Sequence, residues 1–177
     1  MEFSDRETQS LQLIQERDAS LRAMLRRQPL PSPPDPVTWF NYFAEQKRIQ
    51  GNLSNTLGYL TTLLAKQFLS ESFDIGTFDA AEKAQGAVGP DIDITLSDGQ
   101  RIIAEIKTTS PYHAHDFGAN QRKEILRDCE KLGQCGAEHR FFFVTDSDAF
   151  ELLATNYRER LAGVTLVNLV TRNTVAL

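Results

Sequence analysis

Long hydrophobic runs are missing from this sequence, and cysteine is scarce. No apolar stretch is long enough to span a bilayer, and the first ten residues, MEFSDRETQS, are polar and acidic, unlike a secretory signal. We therefore expect a cytoplasmic protein with no membrane segment. The two cysteines, Cys129 and Cys135, have no histidine or cysteine partners at metal-binding spacing, so we expect free thiols.

Basic residues are also outnumbered. The chain has 19 Lys and Arg against 24 Asp and Glu, which gives a formal net charge of -5. This balance argues against a broad, unspecific nucleic-acid surface, because phosphate binding is driven by Lys and Arg. Any DNA contact must use local basic patches or a partner. With 177 residues, 41% of them hydrophobic, the chain is long enough for one domain with a proper core and an appendage.

What the chain does contain is a charged hairpin from Gly89 to Thr109, reading GPDIDITLSDGQRIIAEIKTT. Residues 92–96 alternate apolar and polar, 97–99 form a turn signal, and 101–108 resume a strand. Side chains on a strand alternate between its two faces, so Asp91 and Asp93 share one face of the first strand. Glu105 and Lys107 share one face of the second strand, and the hairpin folds these charges towards each other.

The opposite face of the second strand is apolar and can be buried, which fixes the register of the hairpin. Its residues are Ile102, Ala104 and Ile106. Carboxylates converging on the charged face are hard ligands suited to Mg²⁺, and a neighbouring lysine can stabilise developing negative charge or help deprotonate a water. The simpler interpretation is a solvated hairpin with a surface ion pair, which contributes little to stability.

Pro90-Asp91, followed after thirteen residues by Glu105-Ile106-Lys107, resembles the signature of the PD-(D/E)xK nucleases. The resemblance implies that Asp91 and Glu105 bind Mg²⁺, with Mn²⁺ able to substitute, and that the backbone carbonyl of Ile106 is a further ligand. It implies that Lys107 assists phosphodiester hydrolysis. The implied fold is α/β, a mixed central sheet flanked by helices in a restriction-endonuclease-like core, with an N-terminal helical arm.

One feature of that family is missing. Many of its members carry a further glutamate on the helix before the first strand, but the helix predicted from Leu53 to about Phe68 has none. The metal site then uses two carboxylates, recruits Asp93 from the same strand face, or is helped by Asn55. A second metal is therefore in doubt.

Further substrate contacts are expected after the hairpin. A helix predicted from Ala119 to Leu132 offers Gln121 and Lys123, in positions from which family members contact the scissile phosphate or the water; a solvated basic face is the alternative. His113 and His115, in the loop before this helix, are expected to contact the DNA backbone or simply to be exposed. A zinc site is disfavoured, because it requires three or four protein ligands.

The remaining elements follow from caps and periodicity. A Ser4-x-x-Glu7 capping box predicts a helix to about Gln28. Its apolar stripe would pack on the domain or on a second copy. Residues 29–36 are predicted to form a proline-rich linker, and residues 37–177 the nuclease-like domain.

The other predicted elements are a helix from Pro36 to Arg48 with Trp39, Phe40 and Phe43 inward, a helix with Leu53, Leu57, Leu60, Leu64 and Phe68 inward, a first strand over 72–79, a buried strand over 140–145, a helix from Asp146 to Leu161, and a last strand over 164–170.

The resemblance of the charged hairpin to the PD-(D/E)xK nucleases implies a magnesium-dependent DNA endonuclease, similar to compact restriction endonucleases, that acts on double-stranded DNA. Cutting both strands calls for two sites, so a homodimer is expected. The alternative is a non-catalytic, nuclease-fold DNA-binding subunit of a larger assembly, which the negative charge and the missing glutamate favour. RNA as the substrate is not excluded by any residue.

Overall fold

The computed structural model describes residues 2–28, 30–32, 35–83, 87–112 and 116–177. The chain divides into two compact units, Glu2–Leu57 and Gly58–Leu177, and the division falls inside the third helix. Within the described part of the chain, every helix is too short or too polar to cross a lipid bilayer.

The first unit is helical. Its elements are α1 (Asp5–Arg27), α2 (Pro36–Gln50) and the first residues of α3 (Leu53–Ser70). Ser4 begins α1 with the expected capping box, because its hydroxyl accepts from the Glu7 amide at 3.1 Å while its own amide donates to Glu7 Oε2 at 2.9 Å. Asp35 caps α2 through the Val37 amide, with Pro36 at the first helical position. The predicted starts of both helices are thus confirmed.

The aromatic face of α2 differs from the prediction. Phe40 and Phe43 are 72% and 56% exposed, so their assignment to the inner side is wrong, and Tyr42 is the buried aromatic residue. Trp39 stacks on Phe43 with ring centroids 5.6 Å apart. The aromatic rings therefore pack partly on one another along the helix surface, an arrangement that helical spacing alone does not distinguish from core packing.

The second unit contains a five-stranded mixed sheet. Its strands are β1 (Ile92–Thr95), β2 (Arg101–Lys107), β3 (His139–Val144), β4 (Thr165–Asn168) and β5 (Thr174–Ala176), in that spatial order. The hairpin strands β1 and β2 are antiparallel, β2 pairs in parallel with β3 and β3 with β4, and β5 returns antiparallel to β4. The helices are α4 (Ala119–Gln134), α5 (Ser147–Asn156) and a 3₁₀ turn (Arg158–Leu161). An α/β fold with a mixed sheet between helices is therefore confirmed.

Strand alternation produces a core on each face of the sheet. On one face, Ile92, Ile94, Ile102 and Ala104 pack with the second half of α3. On the other face, a second cluster joins the sheet to α4, α5 and the 3₁₀ turn. It includes Ile103, Ile125, Cys129, Leu132, Phe142, Val144, Phe150, Leu153, Tyr157 and Leu161. The predicted inward faces of α4 and α5 are confirmed.

The expected face of α3 holds only for its second half. Leu53 and Leu57 are 54% and 48% exposed, which makes their predicted inward position wrong, whereas Leu64 and Phe68 pack against the sheet core. The division between the two units falls after Leu57, so Leu53 and Leu57 belong to the first unit and Leu64 and Phe68 belong to the second.

The predicted first strand over 72–79 is wrong, since this segment consists of turns. The carboxylate of Asp74 accepts from the amide of Gly76, which has φ 55°, and Asp79 accepts from the amide of Ala81. Ile75 is nonetheless buried in the sheet core. Apolar residues that anchor an irregular segment thus imitated the alternation of a strand.

The end of the chain also differs. The strand predicted over 164–170 stops at Asn168, whose side-chain oxygen accepts from the amides of Val170 and Thr171 and so turns the chain. Arg172 follows with φ 66°, and the three-residue β5 was not expected. The helix expected to reach Leu161 ends at Asn156 and continues as the 3₁₀ turn.

Candidate functional site

The hairpin brings the two halves of the sequence signature together. Ile92 pairs with Ala104 across the β1–β2 ladder, so one step further along both strands sets Asp91 opposite Glu105. Asp91 lies just before β1, and its Oδ2 accepts a hydrogen bond from the Ile106 amide at 2.7 Å. The carboxylate thus accepts a hydrogen bond from a backbone donor of β2 at the point where β1 begins. Two segments fifteen residues apart meet at this edge.

Glu105, which lies opposite Asp91 on the neighbouring strand, is buried. Its side chain is 2% exposed, and Oε1 accepts from Lys131 Nζ at 3.1 Å. Burial, together with the negative charges of Asp91 and Asp128, raises the pKa of Glu105 to about 7, although the contact with Lys131 acts in the opposite direction. Near neutral pH this carboxyl is therefore poised between its charged and neutral forms.

A second layer of charge comes from α4. Asp128 is 1% exposed, with Lys107 Nζ at 2.5 Å from Oδ2 and Lys131 Nζ at 2.8 Å from Oδ1. Neither contact has hydrogen-bond geometry, so both are ion pairs without a well-directed hydrogen bond. Burial opposes the charge on Lys131, but its contacts with Asp128 and Glu105 raise its pKa above the usual value. Glu105, Lys131, Asp128 and Lys107 therefore form a continuous charged row.

The β2–α4–β3 connection explains this row. The parallel pairing of β2 with β3 requires α4 to run back along the sheet face, opposite in direction to β2. One step of two residues down the strand, from Lys107 to Glu105, covers about 6.6 Å. Three residues along the helix, from Asp128 to Lys131, cover about 4.5 Å. The two spacings are close enough for the charges to alternate across the interface.

Asp93, the other acidic residue on this strand face, does not join the row. It forms an ion pair with Arg101 on the neighbouring strand, with 2.6 Å between Oδ2 and Nη2. Hydrogen bonds from the Arg101 guanidinium hold the pKa of Asp93 below its usual value. Asp93 pairs with Ile103 and lies nearer to the hairpin turn than Asp91 does. Asn55, the other candidate ligand, lies in the first unit.

The additional substrate-contact candidates have mixed positions. Gln121 closes a loop, because Oε1 accepts from the Gly118 amide at 3.1 Å and Nε2 donates to the Ser110 carbonyl at 3.2 Å. Lys123 is exposed on α4. Among the contacts within the described ranges, none joins Gln121 or Lys123 to Asp91, Glu105 or Lys107. The predictions for His113 and His115 lie outside the described residues.

Two residues of the charged row, Asp128 and Lys131, were not predicted from the sequence. Asp128 falls on the same helical stripe as Ile125, Cys129 and Leu132, all of which are buried. An acidic residue on an apolar stripe requires a partner inside the fold, since burying an isolated charge is costly. That position, with Lys131 one turn further on, was a signal available in the sequence.

The oxygen donors define what the site can bind. Asp91 and Glu105 provide carboxylates at opposite positions across the hairpin. Each carboxylate has a second oxygen besides the one in its hydrogen bond. Within the described residues, no group of three or more His, Cys, Asp or Glu side chains converges closely enough to hold a metal ion unaided. This donor set suits a hard cation that keeps several waters, as Mg²⁺ does, and does not suit zinc.

Comparison of the chain with protein-family models, with curated proteins and with solved structures gave no match. Functional inference therefore rests on the fold and on the geometry of this site.

Proposed function

We propose that this chain is a magnesium-dependent DNA endonuclease of restriction type, built on a restriction-endonuclease-like core. The observation that carries the proposal is the position of Asp91 opposite Glu105, with Lys107 two residues further along the same face of β2. The two halves of the PD-(D/E)xK signature therefore lie at the same end of the hairpin. A solvated hairpin would not require Glu105 to be buried at 2% exposure beside a second acidic residue.

The proposed roles follow from position. Asp91 and Glu105 hold Mg²⁺, with the Ile106 carbonyl as a further ligand; when bound, the ion supplies charge neutralisation at the phosphate and acidifies a water. Glu105 has a raised pKa partly because Asp91 and Asp128 are close, and a divalent cation would relieve that repulsion, so the residues present fit the ion. Lys107, 20% exposed at the end of β2, orients the water or faces the phosphate oxygens.

The experiment that tests the function is cleavage of supercoiled DNA, linear duplex DNA and RNA by the purified protein, with Mg²⁺, with Mn²⁺ and with EDTA. Lys107→Ala is compared with wild type, and Arg158→Ala, which removes an exposed basic residue of the 3₁₀ turn, is the matched control. We expect metal-dependent cutting of duplex DNA that Lys107→Ala reduces by about a hundredfold or more and Arg158→Ala leaves intact. Absence of cutting on every substrate would refute the catalytic proposal.

A second candidate is a non-catalytic DNA-binding subunit with the same core. Two observations favour it: no three-acid group suited to a metal lies within the described ranges, and both lysines of the site already pair with Asp128.

Calorimetric titration with Mg²⁺ separates the two candidates. Asp91→Asn keeps an oxygen that can accept from the Ile106 amide but removes the charge, so the hairpin edge is preserved. Asp93→Asn is the matched control, because Asp93 is on the same strand face but pairs with Arg101. The endonuclease proposal requires binding heat in wild type and Asp93→Asn that disappears in Asp91→Asn. No heat in wild type would favour the binding subunit.

We also propose that the active form is a homodimer, since a single site cannot cut both strands at once. Exposed apolar side chains on α2 and at the start of α3, namely Val37, Phe40, Phe43, Leu53 and Leu57, support a contact through the first unit. Light scattering that gave only the 19.9 kDa mass would contradict this proposal.

A further inference from the structure

Asp128 is the least exposed charged group of the site, and sequence reasoning gave it no role. Its side chain is 1% exposed, and its two oxygens face two different lysines, Lys107 at 2.5 Å and Lys131 at 2.8 Å. The side chains of Lys107 and Lys131 are 20% and 37% exposed, so each reaches from the partly open site down to the same buried carboxylate. The third nearby cation, Arg127, is 3.8 Å away and largely exposed.

We propose that Asp128 is the positioning residue of this site: its buried carboxylate fixes the ammonium of Lys107 at the edge where Asp91 and Glu105 meet. The inference rests on the proposed nuclease function and adds a residue from α4 to it. Asp128 touches neither Asp91 nor the Ile106 amide in the contacts of the described residues, so it acts through Lys107.

The physical need for such a residue comes from the lysine side chain. The four-carbon side chain of lysine is flexible, so its ammonium group can occupy many positions. Misplacement of a reacting group by about 1 Å can lower the reaction rate a hundredfold. Without the charge on Asp128, the ammonium of Lys107 would lose its fixed partner. The side chain would then sample several positions, including direct contact with Glu105. Lys131 holds the other oxygen of Asp128 and keeps the carboxylate from following Lys107 outward.

The first test is a double-mutant cycle in cleavage rate at saturating DNA and Mg²⁺, using Asp128→Asn, Lys107→Met and the double variant. We expect Asp128→Asn to lower kcat by about tenfold to a hundredfold with KM nearly unchanged, because it disturbs the geometry of the reacting complex and not the binding of DNA. The double variant should be no slower than Lys107→Met alone. Wild-type kcat in Asp128→Asn, or a double variant whose loss is the product of the single losses, would overturn the proposal.

The second test needs no catalysis. Mg²⁺ titration of Asp128→Asn should still show saturable binding, weakened by about tenfold to a hundredfold because a neighbouring negative charge is removed while Asp91 and Glu105 remain; loss of detectable binding would make Asp128 a ligand and overturn the positioning role. Asp128→Glu, which keeps the charge but moves it by one methylene, should recover part of kcat. A purely structural residue would give a variant that unfolds more easily but has unchanged kcat in its folded fraction.

Unfolding of the same four proteins in EDTA covers the case in which Asp128→Asn is too unstable to assay. The double variant removes both charges of the pair together, so it should be more stable than Asp128→Asn, which leaves Lys107 without its buried partner. Additive effects would overturn the pairing of Lys107 with Asp128, and hence the proposal. If wild type cuts nothing while the stability effects are coupled, the nuclease function fails and the ion pair stands as a structural one.

Discussion

The buried carboxyl of Glu105 makes the stability of this protein depend on pH in an unusual direction. Its pKa is about 7 in the folded protein, against an ordinary value of 4.5, because burial and then Asp91 and Asp128 disfavour the charged form. Between these two values the folded state binds more protons at this site than the unfolded state does. Stability from this group is therefore fully present below pH 4.5 and is lost as the pH rises through 7.

The magnitude follows from the same two values. Each tenfold change in proton affinity is equivalent to about 1.4 kcal/mol, so a pKa raised from 4.5 to about 7 corresponds to about 3 kcal/mol. Part of the loss has already occurred at pH 5. Between pH 5 and pH 8 we expect the free energy of unfolding of wild type to fall by about 2 to 3 kcal/mol relative to Glu105→Gln, which cannot ionise.

The measurement is urea unfolding of both proteins in EDTA at several pH values, followed by circular dichroism. Fluorescence of Trp39 is unsuitable because that residue reports on the helical unit. Contributions from that unit, and from carboxylates such as Asp93, cancel in the difference between the two proteins. A difference that stays constant within about 0.5 kcal/mol would show that Glu105 ionises normally and would refute the reasoning. Saturating Mg²⁺ should stabilise wild type more at pH 8 than at pH 5, since a carboxylate ligand must lose its proton.

Two further predictions concern the scaffold. Gly163 has φ 73°, and an added Cβ would meet only the far end of the Arg140 side chain at 2.5 Å, which can shift; Gly99 has φ 87° and open space around it. Gly163→Ala and Gly99→Ala should therefore each lower the free energy of unfolding by about 1 to 2 kcal/mol through the positive φ, and a clearly larger loss at Gly163 would show that Arg140 is held in place. Burial raises the pKa of the Cys129 thiol to about 12. At pH 8 iodoacetamide should therefore modify Cys135 and spare Cys129 until the protein is unfolded; equal rates in the native protein would contradict the buried position.

The hairpin was predictable because local and long-range signals agree there. Turn residues at 97–99, alternation on both strands and an apolar face fix a single register, and that register alone decides that Asp91 meets Glu105. The caps Ser4, Asp35 and Asp146 were equally readable, since each satisfies a backbone donor within three residues. Such features depend on neighbours in sequence.

The failures depend on neighbours in space. The segment at 72–79 has an apolar alternation but no strand to pair with, and its carboxylates close local turns instead. The apolar faces of α2 and of the start of α3 could not be assigned, because periodicity shows that a helix has an apolar side but not what covers it. The role of Asp128 in the site could not be predicted for the same reason. Its partner Lys107 is 21 residues away in the sequence, and only the crossover of α4 brings the two residues together.

The charge balance of the site connects its structural and functional roles. Three carboxylates, Asp91, Glu105 and Asp128, face two ammonium groups, Lys107 and Lys131. Burial raises the pKa of Glu105 most; full ionisation would also leave one uncompensated negative charge, which raises it further, and a bound proton removes that excess. A divalent cation would remove the same excess, but only by displacing the proton. The proton on Glu105 and the metal ion therefore compete for the same excess negative charge. The affinity of the site for Mg²⁺ should rise as the pH passes 7.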